Sequence, residues 1–277
     1  MTDARPMISY AQNLEDVVLD RALHAPSGFY VDVGAASPST ASVTRHFYEL
    51  GWSGINIEPL PEYVSELRLA RPRDWTIEAV AGASPGQSSF HVVESDQDLS
   101  TFDPRRVEQM RAEGIRTNEC LTEMVTLNDV LEQAQPMAID FLKIDAEGTE
   151  REVLLGIDLR MWRPRVLLIE ATFPNSQIPS HGEWEDLVLK EGYLFASFDG
   201  INRFYAAEEE SSLIDRLAPA NVLDQFVPAY MQMINEELER LRSAYARIER
   251  DIALKDDQLA SAADYARHLE QRLEQER

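Results

Sequence analysis

The chain has 277 residues, 44% of them hydrophobic, which suits one large α/β domain with an appendage and is too apolar for a disordered chain. Its 26 basic residues stand against 49 acidic ones, a net charge of −23 with no basic cluster to offset it, which argues against nucleic acid or an anionic membrane as partner. The single cysteine, Cys120, excludes an intramolecular disulfide and reads as a small, buried or half-exposed residue in a reducing compartment.

At the N-terminus, Asp3, Arg5 and Pro6 replace the apolar stretch that a signal peptide needs. No run of roughly 18 apolar residues follows anywhere, so the expectation is a soluble, cytoplasmic protein without a transmembrane segment. The period of apolar residues predicts a helix over 12–22, then a turn at Pro26-Ser27-Gly28 and a buried strand over 29–33 that stops at Gly34. A helix over 40–50 ends at Gly51, and a second strand over 54–57 ends at Glu58 and Pro59. A helix over 62–70, a third strand over 75–80 and an extra strand over 88–93 come next. Between 94 and 119 the pattern fades into a substrate-side insertion with one helix over 104–113. The alternation resumes with a helix over 126–133 capped by Thr126 or Asn128, a strand over 138–144, a helix over 150–155 and a strand over 165–169 ending at Glu170. A helix over 184–190 precedes a closing antiparallel pair, 193–198 and 203–205. Strands alternating with helices imply an α/β fold with a mostly parallel sheet, whose ligands bind beyond the carboxyl ends of the strands.

From Met231 onward an apolar 3-4 spacing runs through Ile234, Leu238, Leu241, Tyr245, Ile248, Ile252, Leu259, Ala262, Ala266, Leu269 and Leu273, broken only by Lys255. About six heptads of that strictness predict a C-terminal α-helical coiled coil that makes a homo-oligomer, a dimer or a trimer. The repeat runs to the last residues, which leaves room for a longer protein. The expected organisation is a catalytic domain over 1–217, a linker over 218–230 and a coiled-coil segment over 231–277.

Three stretches can carry chemistry. In Tyr30-Val31-Asp32-Val33-Gly34-Ala35-Ala36 a strand delivers an acid and a glycine into a tight turn. The G-x-G-x-x-G pattern of a dinucleotide site is missing, which disfavours a nicotinamide oxidoreductase and suits a cofactor with an amino-acid tail, such as S-adenosylmethionine. Glu58, at the next strand end, is placed to accept hydrogen bonds from two ribose hydroxyls. Phe141-Leu142-Lys143-Ile144-Asp145-Ala146-Glu147-Gly148 is an apolar strand that carries a lysine and closes on two acids, a costly set to bury without purpose.

These stretches, with Ser42-Val43-Thr44 and Gly51-Trp52-Ser53-Gly54-Ile55-Asn56-Ile57-Glu58-Pro59, resemble the FkbM-type methyltransferases over roughly Ile8 to Tyr205. The opening Ser9-Tyr10-Ala11-Gln12-Asn13-Leu14-Glu15-Asp16 is similar to a branch found with polysaccharide biosynthesis. The resemblance implies a Rossmann-like class I methyltransferase fold and O-methylation of a sugar hydroxyl in a polysaccharide, glycan or glycolipid, by S-adenosylmethionine. It implies that Asp32 and Gly34 hold the methionine end of the cofactor, with Ser42 at its carboxylate, Glu58 at the ribose, and Val80 and Ala81 at the adenine. Ala35-Ala36-Ser37-Pro38 departs from the more polar turn of many relatives.

A sugar hydroxyl must lose its proton as it attacks. His181, after the Ala171-Thr172-Phe173-Pro174-Asn175 stretch, is a candidate base. Asp145 and Glu170, on neighbouring strand ends, are the alternative, as ligands of Mg2+ that lowers the pKa of the hydroxyl. A glycosyltransferase is a candidate partner for the coil. The competing reading is a non-catalytic scaffold that binds the cofactor without turnover, and it gains if Asp145, Glu170 and His181 fail to meet in one cleft. His24, His46, His91 and His268 have no partner at a useful spacing, and no zinc-protease or serine-hydrolase motif is present.

Overall fold

The computed structural model describes residues 6–95, 97–173 and 176–275, apart from the side chains of residues 98, 273 and 274. The chain divides into two compact units, Met1–Phe226 and Val227–Arg277. The first unit opens with a short strand β1 (Met7–Ser9) and helix α1 (Glu15–Leu23), followed by β2 (Phe29–Val33), α2 (Arg45–Leu50), β3 (Ser53–Glu58), α3 (Pro61–Ala70), β4 (Trp75–Glu78) and β5 (Val80–Ala81). Then come β6 (Gly86–Val93), α4 (Pro104–Ala112), β7 (Thr117–Val125), α5 (Leu127–Ala134), β8 (Phe141–Ile144), α6 (Glu150–Leu155), β9 (Val166–Glu170), α7 (Glu185–Leu189), β10 (Tyr193–Phe198) and β11 (Asn202–Ala207). The second unit is dominated by one helix, α8 (Ala229–Gln275).

Seven strands form the main sheet in the order β10-β11-β9-β8-β2-β3-β4. The five from β9 to β4 are parallel, and β11 runs antiparallel to both β9 and β10. From β2 the chain moves outward to β3 and β4, then returns to the other side of β2 with β8 and β9, so the order reverses between β2 and β8. A crevice opens beyond the carboxyl ends of strands at such a point. The α/β, Rossmann-like architecture with an antiparallel closing strand, expected from the alternation of elements, is present.

The two faces of the sheet obey the period of two. Val31, Val33, Ile55, Ile57, Leu142, Ile144, Leu167 and Ile169 pack into one core layer, and Tyr30, Phe141, Val166 and Leu168 into the other. Asp32, Lys143 and Glu170 alternate with the first set, so all three project to the Tyr30 and Phe141 side.

Several element boundaries differ from the periodicity, and the causes are local. Helix α1 starts at Glu15, not Gln12: the Asn13 amide donates to Glu15 Oε2 at 2.7 Å and Leu14 has φ +67°, so 12–14 is a turn, and the Asp16 carboxylate accepts from Ser9 Oγ (2.7 Å), Tyr10 N (2.7 Å) and Ala11 N (3.3 Å) ahead of it. Helix α2 starts at Arg45, not Thr40: Ser37 Oγ accepts from the amides of Ser39 and Thr40, and Ala41 has φ +53°, so 37–44 is a shaped loop. The third strand breaks at Ala79, whose amide bonds to Glu58 O at 3.2 Å. The chain then leaves the main sheet as β5, in a second sheet of order β5-β7-β6. β7 is an element the pattern missed, and Cys120 on it is exposed, not buried or half-exposed, because most of β7 is exposed. Among the described residues no helix is long and apolar enough to cross a membrane.

Candidate active site

The switch point begins at Gly34, where φ is +71° and an added Cβ would come within 1.8 Å of Asp145 O. Only glycine allows the ends of β2 and β8 to approach so closely. Lys143 Nζ ties the turn down by donating to Gly34 O at 2.8 Å. It also stands 3.1 Å from Asp32 Oδ1 and 3.6 Å from Asp145 Oδ2. The pairing follows from register, since Asp32 and Lys143 are lateral neighbours on β2 and β8. Burial alone would push the Lys143 amine down, but the carboxylates of Asp32 and Asp145 outweigh it and raise its pKa above the ordinary lysine value. Lys143 therefore remains a cation and serves as a clamp, not as a proton acceptor.

Behind the turn, the other Asp32 oxygen accepts from Thr44 Oγ1 (2.8 Å), and the buried Arg71 donates to Thr44 Oγ1 (2.6 Å), Ser42 Oγ (2.6 Å) and Pro38 O (2.9 Å). Arg71, the Asp32 pair and the 38–44 loop thus form one connected polar network.

In front of the turn lies an open cavity. Its polar end is lined by Gln12, Gly34, Ala36, Thr40, Lys143, Asp145 and Glu147, and its apolar end by Leu60, Tyr63, Val80, Ala81 and Phe90. Glu58 lies on the wall with one oxygen accepting from Ala36 N (2.8 Å) and the other from Leu60 N (2.9 Å). Burial pushes its carboxyl up to about 7. The residues named from the sequence separate here: Gly34, Glu58, Val80, Ala81 and Asp145 line the cavity, whereas Asp32 and Ser42 stand behind it in the network.

The third group of residues sits at the ends of β8 and β9. One oxygen each from Asp145, Glu147 and Glu170 can be chosen so that all lie within 4.8 Å of one another. The intervening turn is fixed by Glu150, whose Oε1 accepts from the amides of Ala146 and Gly148 at 3.1 Å, and by Thr101 Oγ1, which donates to Glu147 O at 2.9 Å. Glu170 is only 8% exposed, and its Oε2 is buried with no hydrogen-bond partner among the described residues. Burial first, then repulsion from Asp145, Glu147 and Glu150, raises its pKa well above the usual carboxylate range. Lys143, 3.6 Å from Asp145 Oδ2, offsets part of this charge, and an all-oxygen set is the donor type that a hard divalent ion takes.

His181 stands apart from these acids. It opens a 3-10 turn, does not line the cavity, and has its Nε2 4.0 Å from Glu185 Oε2. The Ser180 amide bonds to Ala171 O at 2.8 Å, so the turn adjoins the end of β9. Pro174 and Asn175 lie outside the described residues. Sequence reasoning did not single out Gln12, Thr40, Tyr63, Phe90 and Ser100 as cavity residues, or Glu147 as the third acid. Glu147 stood next to a named acid in a strand-end motif, and its left-handed φ of +50° is what turns it back toward Asp145.

The FkbM methyltransferase domain model matches residues 32–195, more than half of the chain, from the end of β2 into β10. The chain belongs to the FkbM methyltransferase family. A comparison with curated proteins gave no match. Among solved structures, this FkbM chain is similar to a TehB-like SAM-dependent methyltransferase from Corynebacterium glutamicum, at 9% identity and TM-score 0.38, over 70% of this chain and 87% of that one. It is also similar to precorrin-6y C5,15-methyltransferase from Geobacter metallireducens, at 13% identity and TM-score 0.36, over 69% and 83%. Likenesses of that size carry no argument, and the family assignment rests on the domain match.

Proposed function

We propose that this FkbM domain is an S-adenosylmethionine-dependent O-methyltransferase acting on a sugar hydroxyl of a polysaccharide, glycan or glycolipid. The observation that carries the reading is one cavity that runs from an apolar end, past Glu58, to the carboxylates of Asp145 and Glu147. Val80, Ala81 and Phe90 would enclose a flat base, Glu58 would accept from the ribose, and the Gly34 turn would receive the amino-acid tail. Bound there, the cofactor supplies a methyl group on a sulfonium, which needs little electrophilic help. Asp32 and Ser42 act through the loop as positioning residues.

Asp145, Glu147 and Glu170 would hold a divalent cation such as Mg2+, whose chemistry is to bind a hydroxyl and lower its pKa. The three carboxylates would orient the acceptor hydroxyl at the ends of β8 and β9, beside the cavity that Asp145 and Glu147 line. With the cofactor bound, the acceptor oxygen would bond to the methyl carbon as the carbon–sulfur bond broke with its electron pair left on sulfur, and the hydroxyl proton would pass to a base. His181 is the candidate for that proton by its imidazole chemistry, although it does not line the cavity and only the backbone of its turn is tied to the end of β9.

The test is a screen of sugar acceptors with methyl-labelled cofactor, run with Mg2+ and with EDTA. Labelled product that requires the cation and falls about 100-fold or more in Glu170→Gln supports the reading. Product formed equally in EDTA removes the cation, and a fully active His181→Ala removes the base. Cofactor binding without turnover on any acceptor points to the non-catalytic scaffold instead.

A further inference from the structure

Helix α8 is a single 47-residue helix in which every described residue from 233 to 272 is exposed. Its apolar seam, Met231 to Leu269 at 3-4 spacing, is bare, with Tyr245 64% and Leu259 68% exposed. A solvent-facing helix does not keep such a seam over so many turns unless something covers it. We propose that the cover is the α8 of a second copy of this chain, packed antiparallel to form a homodimer.

The direction follows from the seam itself. Written as heptads, Leu238, Tyr245, Ile252, Leu259 and Ala266 fall at a, and Leu241, Ile248, Lys255, Ala262 and Leu269 fall at d. A parallel, in-register pair sets every seam residue on itself. Tyr245 then crowds its own copy, Ala262 and Ala266 leave two thin layers, and Lys255 meets a like charge. An antiparallel pair sets a on d. In one register, which overlaps nearly the whole helix, Tyr245 meets the partner's Ala262, Leu241 the partner's Ala266, and Lys255 the partner's Ile252. Large then faces small in the Tyr245 and Leu241 layers, the condition for even packing density, and the two Lys255 no longer share one layer.

One pair of flanking charges suits this register. Glu237 and the partner's Arg272, both at g, come side by side, and the two-fold axis repeats the pair. Within one helix the ion pair of Glu237 is an exposed one with Arg240, so Glu237 is available to an incoming chain. Glu249 and the partner's Asp256, both at e, meet as like charges, so it is the seam volumes that choose the register. In the antiparallel dimer the N-termini of the two helices, each joined to a methyltransferase domain, lie at opposite ends of a rod about 70 Å long.

The test uses the full chain with Cys120→Ser, carrying either Leu238→Cys or Leu269→Cys. The two versions are purified alone and coexpressed, then oxidised. Antiparallel packing gives a disulfide-linked dimer only in the coexpressed sample, between residue 238 of one chain and residue 269 of the other. Self-linked dimers of either version alone mean parallel packing and overturn the proposal, as does the absence of any link or a trimeric mass. A second arm uses charge: Arg272→Glu should weaken dimerisation about tenfold and Glu237→Arg with Arg272→Glu should restore it. No effect of the single change would overturn the register.

Discussion

The two halves of the candidate site are built on opposite electrostatic principles. Around Gly34, the acids and bases cancel within the protein: Lys143 bridges Asp32, Asp145 and the Gly34 carbonyl, and Arg71 closes the chain through Thr44 and Ser42. At the ends of β8 and β9, Asp145, Glu147 and Glu170 crowd like charges together, and a buried oxygen of Glu170 has no partner among the described residues. The first half is complete without a ligand and supplies shape. In the second half the crowding persists, and burial with mutual repulsion holds the Glu170 carboxyl well above the usual carboxylate range.

The largest effect should come from breaking the neutral half. Lys143→Met leaves the Asp32 carboxylate buried without its partner, an error that costs about 3–5 kcal/mol, read as a lower urea midpoint. Adding Asp32→Asn should recover part of that loss, and a single mutant as stable as the parent would mean that the pair contributes nothing. Next in size is Gly34→Ala, since the new Cβ overlaps Asp145 O. It should weaken cofactor binding about 100-fold or more while the urea midpoint changes less than in Lys143→Met. Unimpaired binding would show that the two strand ends need not approach so closely.

The smallest effect concerns pH and sharpens the contrast. Glu58 and Glu150 are both pushed up to about 7 by burial, so between about pH 4.5 and 7 the folded protein holds more protons than the unfolded one. Their contribution to stability is complete below the unfolded value and is lost as pH rises through 7. The ligand-free protein should therefore melt at a higher temperature at pH 5.5 than at pH 8. Glu58→Gln should flatten that slope without abolishing it, and a mutant slope equal to the parent's would contradict the buried, ligand-poised state of this acid.

Much of this contrast was legible in the residues, for reasons of burial. Strands covered on both faces must be apolar, so Phe29–Val33 and Phe141–Ile144 stand out, and an acid or lysine inside them is conspicuous at once. The direction of a side chain at a strand end is not legible. Asp32, expected at the methionine end, turns to Thr44 and Lys143 because its register partner is a lysine on a strand more than a hundred residues away. The loops at 40–44 and 12–14 replaced expected helical turns because the Ser37 and Glu15 side-chain oxygens capture backbone amides, a local competition that apolar spacing does not record. β7 was hidden because its residues are mixed and mostly exposed, so no alternation marks it.

Calorimetric titration tests most directly whether the cavity, with Glu58 on its wall, is a nucleoside-cofactor site. The parent chain should bind one equivalent of S-adenosylmethionine and no NAD, and Glu58→Ala should weaken binding at least about tenfold with an unchanged circular-dichroism spectrum. Absence of binding in the parent, or equal affinity in Glu58→Ala, would contradict it.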